Sequence, residues 1–210
     1  MRSLAVLGLG AALIGCSNAT GAGATTSAVA LRTSSPETYL LGLDELPLPG
    51  FTVVVPSAAV TSADLTGGDQ VRLDRLRADH FEAGATVRFF RSVADFANSN
   101  GPVDVISTVE RFASVAGAGD AFTAEVQRED SAPGATPLST GPLGDEGHGD
   151  LTTANVNGVT AAQTVLVWRT ANLVSVLEVH ERLSGSPLAH ALAIARPQVA
   201  RQGGATPAPQ

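Results

Sequence analysis

Two apolar runs near the C-terminus, Ala162–Arg169 and Leu173–Glu181, stand three residues apart and constrain the fold more than any other stretch. Both are rich in Val and Leu, too short for core helices, and bounded by polar residues, so they read as strands. The connection Thr170-Ala171-Asn172 is too short for a crossover, which makes the pair antiparallel. Asn is among the few non-glycine residues that tolerate a positive φ, and Asn172 is therefore expected to make the turn. Trp168, the only tryptophan, lies in the first run and reads as core under a packed helix rather than as a ligand platform.

The rest of the chain supplies partners for this hairpin. Phe51–Pro56 reads as a strand ended by proline, Ala85–Arg91 as a second and Val103–Phe112 as a third, with Val103, Val105, Ser107 and Val109 on one side. Leu151–Ala154 reads as a further strand, with a short edge strand inside the Pro- and Gly-rich loop Ser131–Gly144. Three helices are predicted. Asp69–Ala83 has Asp69 as N-cap, Leu73, Leu76 and His80 on one side, and Gly84 past its end. Val115–Glu129 carries Val115, Phe122 and Val126 at helical spacing, weakened by Gly117 and Gly119. Leu188–Arg196 is announced by Ser186-Pro187, with Pro197 kinking or ending it. The fold class is α+β: a mostly antiparallel twisted sheet with helices packed on it, in the manner of an α/β/α sandwich.

The N-terminus carries a different signal. Arg2 is followed by an apolar run, Ser3–Ile14, of about a dozen residues, the length of an export-signal core and short of the ~20 that a membrane span needs. It ends in Leu13-Ile14-Gly15-Cys16, which resembles the lipobox of bacterial lipoprotein precursors. The resemblance implies diacylglyceryl transfer to Cys16, removal of residues 1–15 and a lipid-anchored new N-terminus. A thiolate suits this chemistry because it is nucleophilic near neutral pH and forms a stable thioether. Ala22-Gly23-Ala24 offers an ordinary secretory cleavage site as the alternative, with release of a secreted protein. Residues 16–35 read as a lipidated flexible tether, 36–202 as a single domain, and 203–210 as a disordered tail.

Composition narrows the partners. The 13 basic residues are all Arg, dispersed among 20 carboxylates for a net charge of −7, which argues against nucleic acid. The membrane through the N-terminal lipid, and an envelope protein or small ligand, remain as partners. With a single cysteine the domain has no intramolecular disulfide and must rest on its core, for which its length suffices.

The succession Arg88-Phe89-Phe90-Arg91-Ser92, Val103–Ser114, Gly141–Gly147 and Val165–Val179, closed by a helix, resembles small bacterial lipoproteins of the PsbP-like or Mog1-like type. Those proteins often carry an Arg-x-Gly-Asn turn between their last long strands. Here it is Arg169-Thr170-Ala171-Asn172, with Ala where Gly is usual. The resemblance implies an α/β/α sandwich and a binding or assembly role more than catalysis.

Candidate chemistry concentrates in Gly144-Asp145-Glu146-Gly147-His148-Gly149-Asp150. Its carboxylates and histidine suit an oxygen-rich Ca²⁺ site or a His-Asp acid/base pair, and it is where an unrecognised hydrolase-like enzyme would do its work. It lacks the alternating ligands and terminal bidentate Glu of an EF-hand loop, so it reads first as a polar turn entering the strand at Leu151. The four histidines, His80, His148, His180 and His190, have no close metal-ligand spacing. Arg88, Arg91, Arg111 and Arg169 all fall on predicted strands and would make an anion pocket if they converged. Ser184-Gly185-Ser186 is no nucleophile elbow, and Gly117-Ala118-Gly119 no phosphate loop. The sequence thus assigns no catalytic, cofactor-binding or metal-ligating residue and no cofactor; its one site residue is Cys16, for lipidation.

Overall fold

The computed structural model describes residues 29–206. Cys16, the leader, most of the tether and the last four residues lie outside them. The elements are β1 (Phe51–Val60), α1 (Ser62–Thr66), α2 (Gln70–Ala78), β2 (Phe81–Arg91), β3 (Pro102–Phe112), α3 (Val115–Asp130), β4 (Thr136–Leu138), β5 (Glu146–Val156), β6 (Val159–Thr170), β7 (Leu173–Arg182) and α4 (Pro187–Gln202). The seven strands form one sheet in the order β1-β2-β3-β7-β6-β5-β4, every neighbouring pair antiparallel.

Helices cover both faces, as the α+β sandwich requires. On one face α4 lays Ala191, Leu192, Ile194, Ala195 and Val199 over Val105, Val109, Leu166, Trp168, Leu177 and Val179. On the other, α2 and α3 lay Leu76, Ala118, Ala121 and Phe122 over Phe112, Val165, Val167, Val174 and Val176. Successive residues of β6 and β7 therefore enter opposite cores. That double burial is why the two runs are continuously apolar instead of alternating.

The α4 face is also fastened by amides. Trp168 Nε1–H donates to Gln202 Oε1 at 2.8 Å, Gln202 Nε2 donates to Ser175 Oγ at 2.8 Å, and Ser107 Oγ donates to Gln198 Oε1 at 3.0 Å. All these side chains are buried. Trp168 is core, and its one polar atom is satisfied there.

Several boundaries differ from expectation for physical reasons. β1 runs through Pro56, because it is an edge strand with one partner, and register shifts on both sides of Val55 remove the need for a proline N–H. The helix predicted to Ala83 keeps its Asp69 cap, which accepts from the N–H groups of Val71 and Arg72, but stops at Ala78. His80 takes φ +59°, and from Phe81 the chain pairs with β3, so Gly84 lies inside β2. At the hairpin turn Ala171, not Asn172, carries the positive φ, +53°. Asn172 turns its side chain inward, accepting from Arg32 N–H at 2.6 Å and donating to Phe112 O at 2.8 Å. α4 starts at Pro187 behind the Ser186 cap and continues through Pro197 to Gln202.

Candidate functional site

The site is built from the half of the sheet on which α3 lies. The first turns of α3 present Ala118, Ala121 and Phe122 to the sheet, while its last turns bury Glu125 and Glu129 there and carry Arg128 and Asp130 at the exposed edge. Strand periodicity fixes what lies beneath. Register places Arg88, Ile106, Glu178, Val165 and Asp150 in one row across five strands, and Phe90, Asp104, His180, Gln163 and Thr152 in the next. Charged and polar side chains at these positions point to the α3 face, so helix and sheet meet along a polar seam.

Most of the seam is internally paired. Arg88 donates to both oxygens of Asp104, at 2.9 and 2.6 Å, and that bond and charge hold its guanidinium above the usual arginine range. Gln163 donates to Glu178 at 3.3 Å, and His180 Nε2 lies 3.9 Å from Glu178. Burial works against the charge on Arg128, but its hydrogen bond to Glu125 and the nearby Glu129, at 2.5 Å, more than compensate and raise its pKa. Burial pushes Glu129 up, opposed by Arg128 and reinforced by Glu125, Glu178 and Asp150.

Two hollows open on this face. A cavity of about 140 Å³ between α2 and α3 is lined by Arg72, Leu76, Glu110, Ala121, Glu125 and Arg128. Arg72 lies 3.7 Å from Glu110 and 3.3 Å from Glu125. Burial, reinforced by Glu125, pushes Glu110 up to about 7, against the pull of Arg72 and Arg128. A larger open groove, about 470 Å³, lies beyond the C-terminal end of α3 and is lined by Phe96, Pro133, Thr152, Ala161, Gln163 and His180.

At the β5 end of the seam stand Asp130, His148 and Asp150. His148 Nε2 is 2.7 Å from Asp150 Oδ2 and 3.2 Å from Asp130 Oδ1. One ligating atom from each residue lies within 4.8 Å of the others, the spacing at which a cation can be shared. His148 and Asp150 are two apart on β5 and hence on one face; Asp130 is the last residue of α3.

The acidic stretch singled out in the sequence is thus divided. It is not a loop: β5 already starts at Glu146. Asp145 accepts from Ala171 N–H at 2.8 Å, and Glu146 accepts from Arg169 at 2.9 Å, so both brace the β6–β7 turn. His148 and Asp150 share a strand face with Glu146, but they are the two that gather with Asp130 at the end of α3. Their third partner, Asp130, escaped sequence reading because it is contributed by a helix end; the His-x-Asp spacing was the available signal for the other two.

The four strand arginines do not share a pocket. Arg88 is engaged with Asp104, Arg91 with the carbonyls of Pro102 and Asn100, Arg111 with Glu82 and the carbonyls of Thr33 and Ser34, and Arg169 with Glu146 and Ala171 O. Of the other histidines, His80 makes the turn after α2 and His190 Nδ1 is 2.8 Å from the buried Glu181. Burial raises the Glu181 pKa and His190 opposes the shift.

No family model matches the chain, and no curated protein matches it. Among solved structures, the chain is similar to the extracellular domain of PknH from Mycobacterium tuberculosis, with a TM-score of 0.49 and 8% identity over 83% of this chain and 99% of that one. It is also similar to a protein from Bacteroides thetaiotaomicron, with a TM-score of 0.35 and 11% identity over 70% of this chain and 42% of that one. Likeness at this level carries no functional assignment.

Proposed function

We propose that this chain is an exported cell-envelope lipoprotein, anchored through Cys16 on the extracytoplasmic side, whose α+β domain is a non-catalytic binding module. The observation that carries the reading is the position of the only cysteine, directly behind Leu13-Ile14-Gly15 at the end of the apolar run. Two or three acyl chains on that sulfur, at about 0.8 kcal/mol per buried methylene, make attachment effectively permanent. The binding half of the reading is supported by the groove beside Thr152, Gln163 and His180, a concave polar and apolar surface of ligand size. Kinship with the PsbP-like or Mog1-like lipoproteins belongs to the same proposal, and a two-sided sandwich on an antiparallel sheet fits it. Among the described residues no helix is long and apolar enough to cross a membrane.

The test is the mass and N-terminal sequence of the mature protein recovered from host membranes, beside a Cys16→Ala form. An acylated, blocked Cys16, lost together with membrane attachment in the variant, is the expected result. An unmodified N-terminus near Thr25 would sink the proposal in favour of a freely secreted domain.

A further inference from the structure

The deepest carboxylate of the α3 face lacks a full set of partners. Asp150 is 2% exposed, its Oδ2 touches His148, and among the described residues its Oδ1 is buried without a hydrogen-bond partner. A buried carboxylate oxygen with nothing to accept from costs several kcal/mol by general experience, and native structures rarely leave one so. A cation shared with neighbouring ligands would meet that requirement. The neighbours are in place: His148 Nε2 and Asp130 Oδ1 lie with the Asp150 carboxylate inside one small sphere.

We propose that Asp130, His148 and Asp150 bind a divalent first-row transition-metal ion of the Zn²⁺ class. The donor set decides the class. One imidazole nitrogen with two carboxylates suits Zn²⁺, Co²⁺ or Mn²⁺, whereas Ca²⁺ and Mg²⁺ take shells of oxygen ligands. Two carboxylates also balance the charge of a divalent ion. In a tetrahedral site with bonds of about 2.0–2.2 Å, ligand atoms stand about 3.3 Å apart. The observed 2.7 Å therefore opens by about 0.6 Å to admit the ion, while the 3.2 Å contact is already close to that spacing.

The strand that supplies two ligands is held from behind. A Cβ on Gly147 would lie 2.7 Å from Leu143 O, and one on Gly149 2.9 Å from Thr140 Cγ2, so the segment before β5 presses flat against its far face. Glycine at both positions lets it do so, and His148 and Asp150 are fixed toward α3. The side chain of Asp150 is 2% exposed, that of His148 20%, and that of Asp130 44%, so the set runs from a buried base to an open rim. Three protein ligands leave a coordination position at that rim for water or an incoming ligand. The lining of the 470 Å³ groove includes Pro133 and Thr152, which follow Asp130 and Asp150 closely in the chain. The site stands independently of the lipid anchor.

The experiment titrates full-length protein, purified in detergent and stripped with chelator, with Zn²⁺ and with Co²⁺. One equivalent of Zn²⁺ should bind, and Co²⁺ should give the visible absorption of a low-coordinate site. Asp130→Asn alters an exposed carboxylate, which keeps folding out of the outcome, and should weaken binding about tenfold or more. His148→Ala should abolish the Co²⁺ spectrum. Absence of stoichiometric Zn²⁺ uptake would overturn the site and leave His148 simply hydrogen-bonded between two carboxylates in its place. So would uptake unchanged in both variants, or displacement by millimolar Ca²⁺.

Discussion

At the scale of single residues, two positions do something their type resists. Glu110 is a buried acid whose pKa stands at about 7, raised first by burial and then by Glu125, with Arg72 and Arg128 pulling it down. Unfolded, it would titrate near 4.3. Between the two values the folded state holds a proton that the unfolded state has released, so its favourable contribution is complete below the lower value and is lost as pH rises through about 7. Glu110→Gln mimics the protonated acid. Its advantage over the parent in urea stability should widen by roughly 2 kcal/mol from pH 5 to pH 8. An equal gap at both pH values would mean that Glu110 does not titrate in this window. Ala171 is the second case, a non-glycine residue at φ +53°. A left-handed alanine costs about 1–2 kcal/mol, and the extra freedom of glycine in the unfolded chain returns about 0.5–1 kcal/mol. Ala171→Gly should therefore stabilise by about 0.5–1 kcal/mol, visible as a rise in Tm.

At the scale of elements, glycines that look alike in sequence play opposite parts. Gly117 and Gly119 both weaken the start of α3 on propensity. A Cβ on Gly117, however, would lie 2.1 Å from Asp79 O, whereas one on Gly119 would meet nothing within 4 Å. α3 docks on the turn after α2 only because Gly117 is bare. Gly117→Ala should destabilise by about 2 kcal/mol or more, since a backbone oxygen must move. Gly119→Ala should stabilise by up to about 1 kcal/mol through helix propensity. The pair separates packing from propensity by thermal melts alone. The same distinction explains what the sequence disclosed. The β6–β7 hairpin, the caps Asp69 and Ser186 and the Ser107 side of β3 were legible because period and capping chemistry are local. The end of α2 was not, because β3 pairs with Phe81–Ala83 and overrides a helical pattern that runs on to Ala83. The metal set was half legible: His148-x-Asp150 encodes one strand face, but Asp130 arrives by packing of a helix 18 residues earlier, which no local pattern records.

At the scale of the molecule, both ends of the described chain meet at one end of the sheet. Arg32 N–H donates to Asn172 beside the β6–β7 turn, Arg111 holds the carbonyls of Thr33 and Ser34, and Gly144 N–H donates to Ala205 O at 2.8 Å. The groove lies toward the opposite end, near the start of β6. From Gln163 to Thr170 the strand advances roughly 20 Å. The first described residues thus lie at the end of the sheet away from the groove. Asn172 is the fastener of this arrangement, 2% exposed and bonded to Arg32 N, Arg32 O and Phe112 O. Asn172→Ala keeps the turn but strands those groups, and unmatched buried polar groups cost about 1–3 kcal/mol each when water cannot reach them. Arg32 sits at the surface end of the sheet and regains water on release, so the expected loss is about 2–3 kcal/mol, mainly from Phe112 O. The local signature is sharper than the global one: the Arg32 amide should exchange with solvent much faster in the variant. Amides of Thr164 and Val165, inside the sheet, should slow or quicken only with overall stability. If Arg32 were unaffected while the whole domain lost stability, Asn172 would be serving the hairpin alone. Residues 32–34 would then not be held to the domain through it.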